Sequence, residues 1–366
     1  MKRIAIICVI LCTPLLINAQ VQIPTLDDLD HEIAMSSQYD KQYEDVIRSV
    51  KKQLYAAKSM EARYDLSNKL FNLYTSYSVD SAIVYAMEKQ KIAKAMGNQS
   101  KVNDAKLNLA YLLIRGGELK DASDIINSIP RSGINQDLSF YYFSTRKTLY
   151  RTLADAALIP SQRKMYKQME KLCNDSVVDN NQSPDIWSRA EQLVNRQQYE
   201  QAKKILLDAY HHLKPGDRQT AFVSISLADI YGREKNVEAQ KQYLIAAAIS
   251  DIRNSVKEYL ALQQLAMILF EEGDTKRAYA YMDHAMNDAV FCNARQRTIA
   301  MADVWPAIEK SHERETKSRT LKLTAALVLI SLLSVFLLVM IIYTRRRVVE
   351  LRAIRARLSN TNELLK

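Results

Sequence analysis

The sequence is poor in the two residues that most often punctuate chain direction: its 366 residues include only 7 glycines and 7 prolines. A β-sandwich or barrel of this size needs a turn every eight to twelve residues, so the shortage excludes sheet architectures and predicts helices throughout. Cysteine is equally scarce, with four in all, two of them (Cys8, Cys12) inside an apolar N-terminal run. The signatures of common chemistry are missing too: there is no HExxH, no GxSxG, no Gly-rich phosphate loop and no CxxC. Of the five histidines, His211 and His212 are neighbours and diverge by about 100° around a helix, while His31, His284 and His312 lie far apart. The carboxylate pairs Asp27-Asp28 and Glu271-Glu272 fall at helix ends, where caps and solvated faces use them. No catalytic residue, no metal and no cofactor is expected, and the chain is not read as an enzyme.

What is abundant is charge, and its distribution matters more than its sum. The net charge is +10. Residues 1–19 carry +2 and residues 323–366 carry +5, whereas residues 20–322 hold 42 basic against 39 acidic side chains. The large middle segment is nearly neutral, so it lacks the basic footprint that a nucleic-acid-binding domain needs. The excess sits at two ends that both look membrane-directed. Lys2 and Arg3, an apolar run from Ile4 to Ile17 and the small-residue site Ile17-Asn18-Ala19 predict a signal peptide over 1–19. Leu323 to Tyr343 contains no charge in 21 residues, about 32 Å of helix, enough for a bilayer core of about 30 Å. An exported leader followed by this span places the preceding segment in the periplasm and the following one in the cytoplasm, with the span in the inner membrane. Arg345, Arg346 and Arg347 then meet the cytoplasmic headgroups.

Between these ends the chain repeats itself. Leu109, Ala110, Leu113, Gly117, Ala122, Ile126 and Ile129 have the same offsets as Leu265, Ala266, Leu269, Gly273, Ala278, Met282 and Ala285. Ala190, Leu193, Ala202, Leu206 and Ala209 fit the template with Gln197 at the turn, and Leu70, Leu73, Ala82 and Ala86 fit it loosely. This is the spacing of tetratricopeptide units, in which two helices approach closely through small residues across a tight turn. The anchor alanines Ala82, Ala122, Ala202, Ala239 and Ala278 leave one long gap, which predicts a degenerate unit with helices near 138–153 and 161–176. About six helix pairs result, with every glycine expected at a turn. Cys173 and Cys292 belong to units about three apart, too distant for a disulfide, so free buried thiols are expected.

The fold class is therefore all-α: a tetratricopeptide-like α-solenoid, one transmembrane helix and a short cytoplasmic coiled-coil helix. The expected boundaries are a signal peptide at 1–19, a helical cap at 20–60, repeats at 61–312, a juxtamembrane helix at 313–322, the span at 323–343 and a basic coil at 344–366. Leu351, Ile354, Leu358, Thr361 and Leu365 form two heptads of a seam through which the chain could pair with a second copy. Stacked units line a concave groove with their first helices, a surface suited to peptides. By the template, Leu107, Tyr111 and Arg115 face it, as do Gln263, Met267 and Phe270, with Trp187 and Glu191 between; Lys147 and Arg151 join them if the degenerate unit keeps register.

Three passages carry a family resemblance: DSAIVYAMEKQKIA at 80–93, LNLAYLLIRGGELKDA at 107–122 and, most specifically, the stretch from Tyr243 to Arg297. With the leader and the span, they resemble membrane-anchored tetratricopeptide proteins of Bacteroidetes described as regulator-like. That resemblance implies a sensor with a periplasmic repeat domain and a cytoplasmic part longer than the 23 residues after Tyr343, acting in transcriptional control; it brings no ligand residues with it. The expected function is recognition of a protein or peptide in the periplasm and signalling across the membrane. The alternative is a passive, membrane-anchored assembly scaffold.

Overall fold

The computed structural model describes residues 24–130, 134–179, 186–214 and 216–364, and the expected signal peptide lies outside them. It is helical throughout, with no strand among the described residues. Two compact units are formed, one ending at Val304 and the other running from Trp305 onward.

The first unit opens with α1 (Leu26–Ala56), a 31-residue helix started by a capping box in which Thr25 and Asp28 satisfy each other's backbone N–H groups. Six helix pairs follow: α2 (Met60–Tyr74) with α3 (Val79–Ala95), α4 (Gln99–Gly116) with α5 (Leu119–Asn127), α6 (Gln136–Ala156) with α7 (Pro160–Asp179), α8 (Ile186–Asn195) with α9 (Tyr199–His212), α10 (Arg218–Arg233) with α11 (Val237–Arg253), and α12 (Ala261–Glu272) with α13 (Thr275–Cys292). The short α14 (Arg295–Ala302) closes the unit. Ser59, Ser78, Asn98, Asn135, Asn236 and Asp274 cap their helices with side-chain oxygens. Gly117 and Gly273 end α4 and α12 at φ of 84° and 89°, a left-handed cap that lets the next helix start almost at once.

The small residues act where the template puts them. Ala82, Ala122, Ala202 and Ala278 are fully buried between paired helices, and Leu206, Leu227 and Leu265 fill the space they leave. The fifth pair departs from the template. Its turn residue with positive φ is Lys235, so the position equivalent to Ala202 and Ala278 is Gln240, and Ala239 lies one residue off it. The small residue has moved to the opposite helix. Gly232 lies inside α10 rather than at a turn, and a Cβ added there would come within 2.7 Å of the Gln240 side chain. Close approach needs one small residue per crossing, and here the first helix supplies it.

Stacking is regular on either side of the third pair: α4 lies against α6, and α8 against α10. Between the third and fourth pairs it lapses. α7 packs on α6 and makes no comparable contact with any other helix. Cys173, on α7, and Cys292, at the end of α13, are free and buried.

The second unit is a single helix, α15 (Trp305–Leu364), 60 residues and about 90 Å long. Among the described residues it is the one helix long and apolar enough to cross a membrane. Its apolar stretch is fully exposed, as a lipid-facing helix is. The expected juxtamembrane, span and coil segments are continuous within it, and the side chains of Leu358, Thr361 and Leu365 are outside the described residues.

Candidate functional site: the charged seam of the repeat unit

The structure distributes nine of the ten expected groove residues over four places. Leu107 is 1% exposed and packs with Ile114, Ile126, Leu138 and Leu149, in the core joining the second and third pairs. As placed, it presents no surface to a ligand. Tyr111 and Arg115 lie together, the guanidinium 5.4 Å from the ring centre, in the contact between the two ends of the repeat unit. Lys147, Arg151 and Glu191 do converge: Lys147 Nζ donates to Glu191 Oε1 at 2.6 Å, and Arg151 reaches Glu191 at 3.8 Å while donating to Glu170 at 2.7 Å. Gln263 is buried, whereas Met267 and Phe270 on the same helix are half-buried. Trp187 lies on α8, with its side chain outside the described residues.

Sequence spacing did not show that the solenoid closes on itself. The N-terminal half of α1 crosses to the C-terminal pairs and is held there by acids meeting bases more than 200 residues away. Arg277 Nε donates to Asp30 at 2.9 Å and its other arm pairs with Asp27. Tyr281 donates its hydroxyl to Asp30 at 2.7 Å. Glu32 takes hydrogen bonds from Arg253 at 2.5 Å and Tyr39 at 2.6 Å. Burial opposes ionisation of Glu32, but these two partners outweigh it and hold the carboxyl below its usual range.

The next layer inward is more enclosed. Lys257, 3% exposed, donates to Asp40 at 2.6 Å and to Asp288 at 3.1 Å, and its backbone N–H donates to Ser76 O at 2.7 Å. Arg115 pairs with Glu258 and donates to Thr75 O at 2.7 Å, so the α2–α3 turn docks on the connection between α11 and α12. Asn293 to Asp80 at 2.9 Å and Arg295 to Glu118 at 3.2 Å extend the seam to α14. Asp251 lies on this face without an ion pair among the described residues. Burial and the nearby Glu258 push its carboxyl up to about 7, against the weaker pull of Arg218 and Arg297. Chemically the seam binds charge to charge. Only one signal in the sequence could have marked it, the run Asp27, Asp28, Asp30, Glu32, which also suits a helix N-terminus. The basic partners lie too far along the chain for any local pattern to reveal.

Paired helices with small-residue crossings, stacked in register, define a tetratricopeptide-type repeat protein. Residues 33–303, nearly three quarters of the chain, match the family described as the SusR N-terminal TPR domain, and the chain belongs to that family. No curated protein matches it.

Proposed function

We propose that the chain is a sensor. Its repeat unit binds a protein or peptide in the periplasm, its apolar helix crosses the inner membrane, and the state of the repeats passes along Val304–Lys322 to a cytoplasmic coil. The family supports a regulator-type repeat protein and α15 supports a membrane anchor. The observation that carries the reading further is the charged seam. A switch needs an element with two arrangements of similar free energy. Contacts rich in ion pairs and hydrogen bonds between distant segments give way to a ligand that competes for the same charges, with Leu29 and Tyr281 buried beside them. A ligand that competes for Arg115, Arg253 or Arg277 binds the open arrangement better and shifts the population towards it.

The experiment is in vivo photocrosslinking from Tyr111 and Phe270, followed by a reporter of output in chains carrying Leu351→Lys and Leu358→Lys. A sensor predicts that the periplasmic adduct persists while output is lost. Unchanged output with the seam of the coil broken favours the scaffold, and absence of any adduct removes the ligand-binding reading.

A further inference from the structure

The α6–α7 hairpin carries a surface that the charged seam does not use. Its tip, Leu158-Ile159-Pro160, projects apolar side chains into solvent, with Leu158 92% exposed. From there α7 runs with its outer face exposed, since among the described residues α6 is the one helix it packs against extensively. Met165 and Leu172, seven residues apart and therefore on one stripe, are both exposed. Lys164 and Lys171 each stand about 100° round the helix from the neighbouring Met165 and Leu172 and so flank that stripe, while Lys167 lies further round; none has an ion pair among the described residues. The half-buried lysines of the repeats are engaged, Lys203 by Glu200 and Glu234, Lys241 by Glu238 and Glu272, Lys101 by Glu61, whereas other exposed ones such as Lys69, Lys91 and Lys204 also lack an ion pair among the described residues.

Acids that could neutralise the face are few. Between Ser161 and Leu172 the one carboxylate is Glu170, which Arg151 holds at 2.7 Å; Asp155 is exposed at the end of α6, and Asp175 lies beyond the last lysine. Arg163 ties the tip down by donating to Ala157 O at 2.8 Å. The stems of Arg163, Lys164, Lys167 and Lys171, with Pro160 and Gln168, border a shallow cleft of about 400 Å³.

We propose that this hairpin docks on the anionic surface of a lipid bilayer, with Leu158, Ile159, Met165 and Leu172 in the interfacial layer and the flanking Lys164 and Lys171 on lipid phosphates. An apolar stripe bordered by unpaired cations is the arrangement of an interfacial helix, whose lysines lay their stems along the apolar layer and keep their charges at headgroup level. A groove for a protein helix would have walls from two elements, and α7 offers one. The inference rests on the reading of α15 as a membrane anchor.

The test uses the full chain with Leu158→Cys carrying an environment-sensitive fluorophore, reconstituted into liposomes of phosphatidylcholine alone or with about one third phosphatidylglycerol. The labelled wild-type chain is subtracted, and Glu271→Cys serves as the control position. The expected result is a blue shift and quenching by lipid-borne quenchers at position 158 that is at least twofold stronger in the anionic liposomes. Lys164→Glu and Lys171→Glu together should abolish it with the circular dichroism unchanged. A label at 158 that stays aqueous in both lipids, or that a peptide partner shields while lipid does not, overturns the inference, as does equal quenching at 271. Flotation of the same samples reports the anchor separately: a floating chain with 158 aqueous refutes the hairpin alone, and a chain that does not float, with 158 aqueous, refutes both.

Discussion

Replacing Asp251 by Asn should stabilise the protein in a way that depends on pH. The side chain sits at the seam without an ion pair, and its carboxyl is raised from 3.8 to about 7 by burial first and by Glu258 second. In the unfolded chain it ionises near 3.8, while the folded protein retains the proton until near 7. The folded state therefore binds more protons between these values, and stability falls as pH rises through that window. A three-unit difference has a ceiling of about 4 kcal/mol at 1.36 kcal/mol per unit; partial solvent access reduces the expectation to about 2 kcal/mol. Asn keeps the shape of the protonated acid and cannot ionise. Thermal unfolding of wild type and Asp251→Asn in the same detergent should coincide at pH 4 to 4.5 and diverge steadily above it. At pH 8 the variant should melt about 4 °C or more higher. A difference between the two that does not change with pH, or a variant less stable at pH 8, would refute the placement of this carboxylate.

Other parts of the structure make equally definite predictions. Lys257→Met leaves Asp40 and Asp288 facing each other without their cation and should cost about 3–5 kcal/mol in thermal unfolding; adding Asp40→Asn and Asp288→Asn should recover most of it. Gly232→Leu meets the flexible end of the Gln240 side chain, which can swing aside, so it should cost no more than about 1 kcal/mol, and combination with Gln240→Ala should remove that cost, a coupling readable in a double-mutant cycle. Burial pushes the Cys292 thiol up to about 12, so alkylation at pH 8 should be slow in the native protein and fast once it unfolds. Rapid labelling of Cys292 in the folded chain would contradict its burial.

Much of the architecture was legible because its causes are local. The matched offsets of the 109–129 and 265–285 units encode a helix period, a turn and a small-residue crossing, all within about twenty residues. The fifth pair shows the limit. Ala239 looked like an anchor because alanine is small, yet register depends on where the turn falls. Lys235 adopts the positive φ usually left to glycine, and that places Gln240 at the crossing. Swapping the small residue from one helix to the other preserves the packing and hides it from a template that searches one helix.

The groove residues were harder for a different reason. The template identifies which face of α4 or α12 points inward; it does not tell whether that face meets a ligand or another part of the same chain. Arg115 faces inward and meets Glu258, with Tyr111 against its guanidinium, while Leu107 is covered by the next helix pair. The sequence by itself determined the helices, their pairing and the apolar segment in α15, because each depends on periodicity, turn residues and uninterrupted length. Only the tertiary structure decided that the repeats close through Asp27, Asp30, Glu32 and Asp40, and that α7 is left bare. Both depend on which distant segments meet and which do not, and no local stretch of residues records that.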